Sequence, residues 1–139
     1  HHSAPKKKAV KKKRTIWDFM SRSETKSSTG YVGLKNLGCI CYMNASNQQF
    51  FMVPEFRKGM LQFDDQEEDK TESMMFQMQK MFAYLQESEK QYYNPKGYCH
   101  AFKDYGGEPT NVLVQKDASE YLGMLFQQIE TKTMGTERE

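Results

Sequence analysis

Apolar positions recur with helical spacing along much of this chain. Met74, Met78, Met81 and Leu85 fall at i, i+4, i+7 and i+11, and Met75 and Phe82 widen the stripe. That pattern predicts an amphipathic helix over about residues 72–90, with the methionines as its packing face. Asn94-Pro95 and Lys96-Gly97 stop it. A second helix is predicted from Cys41 to Met52, with Pro54 marking its end or a fresh start. A third begins at Asp117, where Ala118, Tyr121, Leu122, Leu125 and Ile129 line one face. Asp117 and Glu120 have the spacing of a capping box. Between these elements, Asp64 to Asp69 reads as an exposed acidic loop. Residues 104–112, with Gly106, Gly107 and Pro109, read as an irregular connection. Trp17, Phe19 and Met20 form a short apolar cluster, Ser21 to Thr29 a polar loop, and order is expected from about Gly30. There is no internal repeat and no alternating segment that reads as a strand. The predicted fold is mainly α.

The composition refines this picture. The chain has 139 residues, a net charge of +2 and 37% hydrophobic residues, with a mean hydropathy of −0.86. That suits one modest domain with a wet surface. No segment has the apolar length to span a bilayer, and no signal-peptide apolar region is present at the N-terminus. The small net charge averages two unlike regions: residues 1–14 carry +7 and the remainder −5. His1 and His2 resemble the remnant of an affinity tag. The basic run from Pro5 to Arg14 has no apolar face, so residues 1–29 are expected to be a disordered tail or linker. The run fits a nuclear-import signal, a nucleic-acid patch or a solvated linker. Its lysines alone would give salt-sensitive, unspecific attachment to nucleic acid. The body is acidic, so nucleic acid ranks last among the partners considered. Three cysteines in no regular framework argue against a disulfide scaffold and for an intracellular setting, cytoplasmic or nuclear.

The chemistry concentrates between Gly33 and Asn44. A glycine-containing loop leads directly into a helix, and Cys41 sits at the junction. Unpaired N–H groups at a helix N-terminus favour a thiolate. The same groups, with a nearby Asn amide, can hold an oxyanion. The arrangement suits a thiolate attacking a carbonyl, although many cysteines at helix starts are inert core residues.

This segment resembles the cysteine box of the ubiquitin-specific proteases, G-L-x-N-x-G-[NA]-T-C-Y-M-N. Gly33, Leu34, Asn36, Gly38, Cys41, Tyr42, Met43 and Asn44 match it, and Gln48 and Pro54 also fall where that family often has them. A second box, Q-[QH]-D-A-x-E-F, is matched at Gln115, Asp117, Ala118 and Glu120, with Tyr121 in place of Phe. Tyr92-Tyr93-Asn94-Pro95 and Gly107-Glu108-Pro109 are similar to segments of the very large, fat-facets-type members. The resemblance covers residues 30–131. It implies that residues 30–139 are most of the helical thumb of a papain-like cysteine protease, a fold that is α+β when palm and fingers are included. It implies a deubiquitinase with Cys41 as nucleophile, Asn36 as oxyanion donor, and Asp117 and Glu120 lining the channel for ubiquitin's basic tail. Ubiquitin, ubiquitinated proteins and the remaining palm and fingers would be the partners. No cofactor and no metal are implied.

The same comparison exposes departures. Cys39 and Ile40 replace the usual Asn or Ala and Thr. Ser46 and Asn47 stand where the family is usually apolar, and are expected to weaken packing of the cysteine helix. The base expected in a downstream His box is missing. His100, in Tyr98-Cys99-His100-Ala101-Phe102, reads as a surface or half-buried helix residue. Cys39, Cys41, Cys99 and His100 could together supply zinc ligands, but their irregular spacing argues against it. The isolated chain is therefore expected to hydrolyse little or nothing. The alternative is a catalytically inactive module that binds ubiquitin or another protein through a degenerate thumb.

Overall fold

A computed structural model describes residues 31–137, with side chains to residue 134. The expectations for residues 1–29 lie outside the described residues. The element order is β1 (Gly33–Leu34), α1 (Cys41–Phe51), α2 (Pro54–Gln62), α3 (Met74–Glu87), β2 (Tyr92–Tyr93), α4 (Lys96–Ala101) and α5 (Ala118–Glu137). The architecture is mainly α, as the periodicity predicted.

The methionine-rich helix α3 is the centre of the packing. Met74, Met75, Met78, Met81, Phe82 and Leu85 are all buried. Its start is set by Ser73, whose Oγ accepts the Phe76 N–H at 3.0 Å and donates to Asp65 Oδ2 at 2.8 Å. Asp65 also receives Lys70 Nζ at 3.0 Å. The acidic run is thus mostly exposed, as expected, but Asp65 is an exception that turns inward to buttress a helix cap. Burial pushes its carboxyl up, yet the bonds from Lys70 and Ser73 outweigh that and hold it below its ordinary value. Gln79 Nε2 ties α3 to the end of α2 through Met60 O and Phe63 O, at 2.9 and 2.6 Å.

Three local expectations are corrected. Two strands exist: β1 and β2 pair in parallel, Gly33 with Tyr92 and Leu34 with Tyr93. Two residues each are too few for any alternation to register in the sequence. Asn94-Pro95 does end the preceding segment, but Lys96-Gly97 starts the short helix α4 rather than extending the stop. Pro95 supplies its N-cap position with φ −80°, a value that its ring already fixes. Helix α5 buries Tyr121, Met124 and Leu125, with Leu122 and Ile129 at the margin. Ala118 is exposed instead of facing inward, because the first turn projects beyond the core.

Residues 103–110 form a compact turn. Asp104 Oδ1 accepts the N–H groups of Gly106 and Glu108 at 2.9 and 3.0 Å. Gly107 takes a positive φ of 78°. The turn delivers the chain to residue 112, beside the cysteine loop.

Candidate active site

The loop from Lys35 to Ile40 is held on several sides. Asn36 Oδ1 accepts the N–H groups of Gly38 and Ile40, at 3.2 and 3.3 Å. Cys39 donates its N–H to Val112 O at 2.6 Å. Asn44 Nδ2 reaches back from α1 to Lys35 O at 3.1 Å. Lys35 N–H bonds Tyr93 O at 2.9 Å, continuing the β1–β2 ladder into the loop. Gly38 is required here for space: a Cβ would lie 2.5 Å from Val112 O, and its φ is +154°.

Ile40 is fully buried and occupies the N-cap position of α1. Its carbonyl accepts the N–H groups of Met43 and Asn44 at 3.1 and 3.0 Å. The isoleucine that departs from the family pattern is therefore the core anchor of the loop. No side chain caps this helix. The N–H groups of Cys41 and Tyr42 have no intrahelical partner, and their partial positive charge lies beside the Cys41 side chain. Cys41 is exposed, Cys39 is half-buried and Cys99 is buried; all three are free thiols.

Asn36 is exposed and its amide is oriented by the two bonds to its oxygen. Its Nδ2 has no partner among the described residues and is left to donate outward.

Ser46 and Asn47, expected to weaken the packing, are accommodated in part: Ser46 Oγ and Asn47 Oδ1 find partners, whereas Asn47 Nδ2 is buried without one among the described residues. Ser46 Oγ donates to Tyr42 O at 2.8 Å. Asn47 is 1% exposed, and its Oδ1 accepts the Tyr121 hydroxyl at 2.6 Å. The Tyr98 hydroxyl lies 2.6 Å from that of Tyr121. Tyr121 is the residue that replaces the usual Phe. Two departures from the family pattern thus pair across the α1–α5 interface, with Asn47 Nδ2 left unsatisfied. Burial drives the Tyr98 and Tyr121 hydroxyls far above the ordinary tyrosine range, so both stay neutral.

Asp117 and Glu120 are exposed at the N-terminus of α5. Asp117 Oδ1 accepts the Ser119 N–H at 2.7 Å and also the Ser119 hydroxyl. These bonds hold the carboxyl below its usual value. Glu120 returns no bond to the Asp117 N–H, so the predicted capping box is half formed and the Glu120 carboxylate stays in solvent. Tyr42 links this end of α5 to the cysteine. It stacks edge-on against Tyr121 at 5.8 Å, and its hydroxyl is pushed up by burial first, then by Cys99, Glu120 and Cys41. Exposed Leu113 and Val114 lie on the loop between Val112 and Asp117.

His100 is exposed on α4. Its Nε2 sits 2.7 Å from Glu72 Oε1, and Lys103 Nζ meets Glu72 Oε2 at 2.8 Å. Lys103 and His100 together hold the Glu72 carboxyl low. Cys99, its neighbour, points inward to Met43, with 3.8 Å between the sulfurs. Among the described residues no three His, Cys, Asp or Glu side chains are grouped to hold a metal ion. No helix among them is long and apolar enough to cross a membrane. An apolar hollow of about 530 Å³ lies by Val32, Phe51, Met52 and Leu85. None of Asn36, Cys41, Asp117 or Glu120 lines it.

The loop lock through Val112, the Ile40 anchor and the Tyr98–Tyr121–Asn47 chain were missed from sequence. Gly38 was the one local signal of a close backbone approach. The Asn47 and Tyr121 departures, taken as a pair, signalled the chain.

Residues 32–139 match the family described as Ubiquitin carboxyl-terminal hydrolase. The chain belongs to this family, the ubiquitin-specific cysteine proteases. It is 37% identical over 117 residues to "Ubiquitin carboxyl-terminal hydrolase puf" of Drosophila melanogaster, covering 84% of this chain and 3% of that protein. It is 36% identical over 124 residues to "Ubiquitin carboxyl-terminal hydrolase 24" of Homo sapiens, covering 88% and 5%. With "Ubiquitin carboxyl-terminal hydrolase 34" of Homo sapiens it shares 35% over 114 residues, covering 82% and 3%. The chain thus spans 3–5% of the length of these relatives.

Proposed function

We propose that residues 30–139 are the thumb portion of a deubiquitinating cysteine protease, following a basic segment over residues 1–29. Cys41 attacks the carbonyl after the last glycine of ubiquitin. Nδ2 of Asn36 and the N–H groups at the start of α1 stabilise the oxyanion that develops. Asp117 and Glu120 hold the basic C-terminal tail of ubiquitin as it approaches. The partners are ubiquitin, ubiquitinated proteins, and the palm and fingers that complete the cleft. The setting is cytoplasmic or nuclear, with the basic run over residues 5–14 serving import.

One observation carries this reading. Asn36 spends its oxygen on the loop that presents Cys41, which fixes its amide nitrogen as a donor beside an exposed thiol at an uncapped helix start. The general base is supplied from outside these residues: His100 sits in an exposed ion cluster with Glu72 and Lys103 and makes no contact with Cys41 among the described residues. A chain without that base turns over negligibly, because loss of a triad member costs roughly 10⁴- to 10⁶-fold.

The inactive-module reading draws on the Cys39-Ile40 pair and on Ser46 and Asn47 as flaws around the cysteine helix. Ser46 Oγ and Asn47 Oδ1 are both hydrogen-bonded, which weakens that argument, while Asn47 Nδ2 stays buried without a partner among the described residues. The deciding experiment is Cys41→Ala in a protein that carries this segment within a complete catalytic domain. Hydrolysis of a ubiquitin–fluorophore conjugate falls to background while ubiquitin binding persists. Hydrolysis that survives Cys41→Ala overturns the assignment.

A further inference from the structure

Cys39 is the one thiol near the site that the proposed reaction does not use. It lies two residues before Cys41, on the same locked loop, and is half-buried where Cys41 is exposed. The residue between them, Ile40, has φ −103° and ψ 19°, a bend close to helical geometry. Across such a bend the flanking Cα atoms are about 5.5 Å apart, inside the separation a disulfide tolerates. Cys99 does not compete. It is buried against Met43, and burial pushes its thiol up to about 11, so its sulfur is neither accessible nor ionised.

We infer that Cys39 is the resolving thiol of a reversible oxidation site, closing a disulfide with Cys41 after Cys41 reacts with a hydroperoxide. The inference rests on the reading of Cys41 as the reactive thiol. In the first step the Cys41 thiolate attacks the peroxide O–O bond. A sulfur–oxygen bond forms, the O–O bond breaks, and the other peroxide oxygen leaves as alkoxide or hydroxide and takes a proton. In the second step the Cys39 sulfur attacks the sulfur of the Cys41 sulfenic acid, and water leaves with the proton from Cys39. Overall two thiols are oxidised by two electrons and the hydroperoxide is reduced to an alcohol, or to a second water, together with the water released. A resolving thiol this close intercepts the sulfenic acid before further peroxide converts it irreversibly. Short-loop, exposed disulfides are strained and easily reduced, so a small-molecule thiol restores Cys41. Side chains two residues apart across a near-helical bend do not face each other, so closing the bond shifts the Cys39 backbone as well as rotating both side chains, while Ile40 stays in the core.

The test uses the 139-residue chain treated with hydrogen peroxide, alkylated, and digested with trypsin. Cys39 and Cys41 fall together in the peptide from Asn36 to Arg57, and Cys99 in the separate peptide from Gly97 to Lys103. The expected product is the first peptide short of two hydrogens, with neither cysteine alkylated, while Cys99 remains alkylated after the chain is unfolded. Dithiothreitol returns both thiols. In Cys39→Ser the same dose leaves sulfenic acid at Cys41, trapped by dimedone, and then the irreversible sulfinic and sulfonic acids. Fragment ions separate these from sulfoxide at Met43 or Met52. Oxygen added at Cys41 of the unsubstituted chain while Cys39 still alkylates overturns the inference, as does a disulfide to Cys99 or no change at either thiol. A ubiquitin-based probe read on untreated chain reports separately on Cys41 as nucleophile. Its failure alongside a formed disulfide would count against the protease role and not against the oxidation site.

Discussion

Asn36 is asked to do two things with one amide. Its oxygen pins the loop through Gly38 and Ile40, and its nitrogen is left to donate. Asn36→Asp separates them, because a carboxylate keeps the acceptor and loses the donor. Within a complete catalytic domain, kcat for a ubiquitin–fluorophore conjugate should fall about 10²- to 10³-fold, the usual cost of one oxyanion donor, with little change in thermal stability. Equal activity would remove Asn36 from the oxyanion role. Tyr121 and Asn47 make a pair that either substitution breaks. Tyr121→Phe leaves Asn47 Oδ1 buried without a partner and should cost about 1–3 kcal/mol. Asn47→Leu added to it recreates the apolar pairing usual in the family and should recover much of that loss. A double-mutant cycle by urea denaturation reads the coupling directly. At this scale the sequence was informative about identity and poor about surroundings. Cys41 and Asn36 were legible because a helix start and a glycine-bounded loop are local. The partner of Asn47 was not, because Tyr121 lies 74 residues away. Judged alone, Asn47 reads as a defect.

The helices follow from local pattern, and their ends follow from particular side chains. The methionine stripe predicted α3 to within a few residues. Its observed start at Met74 is the position Ser73 dictates as cap. What could not be read was that Asp65, inside a run that looked uniformly solvated, braces that cap. Its folded pKa is depressed, so its contribution to stability is full above the ordinary aspartate value of about 4. That contribution drains away as the pH falls through the lower folded value. Asp65→Asn should therefore destabilise the protein at neutral pH and flatten its loss of stability on acidification, measured by thermal melts between neutral and acid pH. An unchanged acid limb would show that Asp65 is not the group responsible. The two strands were illegible for a different reason. Their pairing joins residues on either side of three helices, and it is specified by how those helices pack. Its effect on the site is direct, since the ladder ends at Lys35, where the cysteine loop begins. Gly38→Ala probes the other side of that loop. With backbone oxygen 2.5 Å from the new Cβ, the loop must move off Val112, which should cost stability and slow alkylation or probe labelling of Cys41.

At the scale of the whole molecule, the proposed site residues gather at the starts of two helices. Cys41 and Asn36 sit at the start of α1, Asp117 and Glu120 at the start of α5, and exposed Leu113, at 77%, with Val114 on the loop between. Open apolar surface beside the exposed Cys41 thiol suits the proposal that further structure completes the site. The family membership rests on residues 32–139 as a unit, whereas the activity proposed for it belongs to a larger assembly. The sequence carries the same proposal, because the two matched boxes imply a nucleophile and a tail-binding acid pair without a suitable histidine. The residues proposed to receive ubiquitin's tail are present here, so that proposal can be tested on this chain. The most direct measurement is incubation with ubiquitin bearing a C-terminal thiol-reactive group, followed by mass mapping of the modified residue. The account predicts a single adduct on Cys41, absent in Cys41→Ala and weakened in Glu120→Lys. An adduct on Cys39, or none under conditions where iodoacetamide alkylates Cys41, would contradict it.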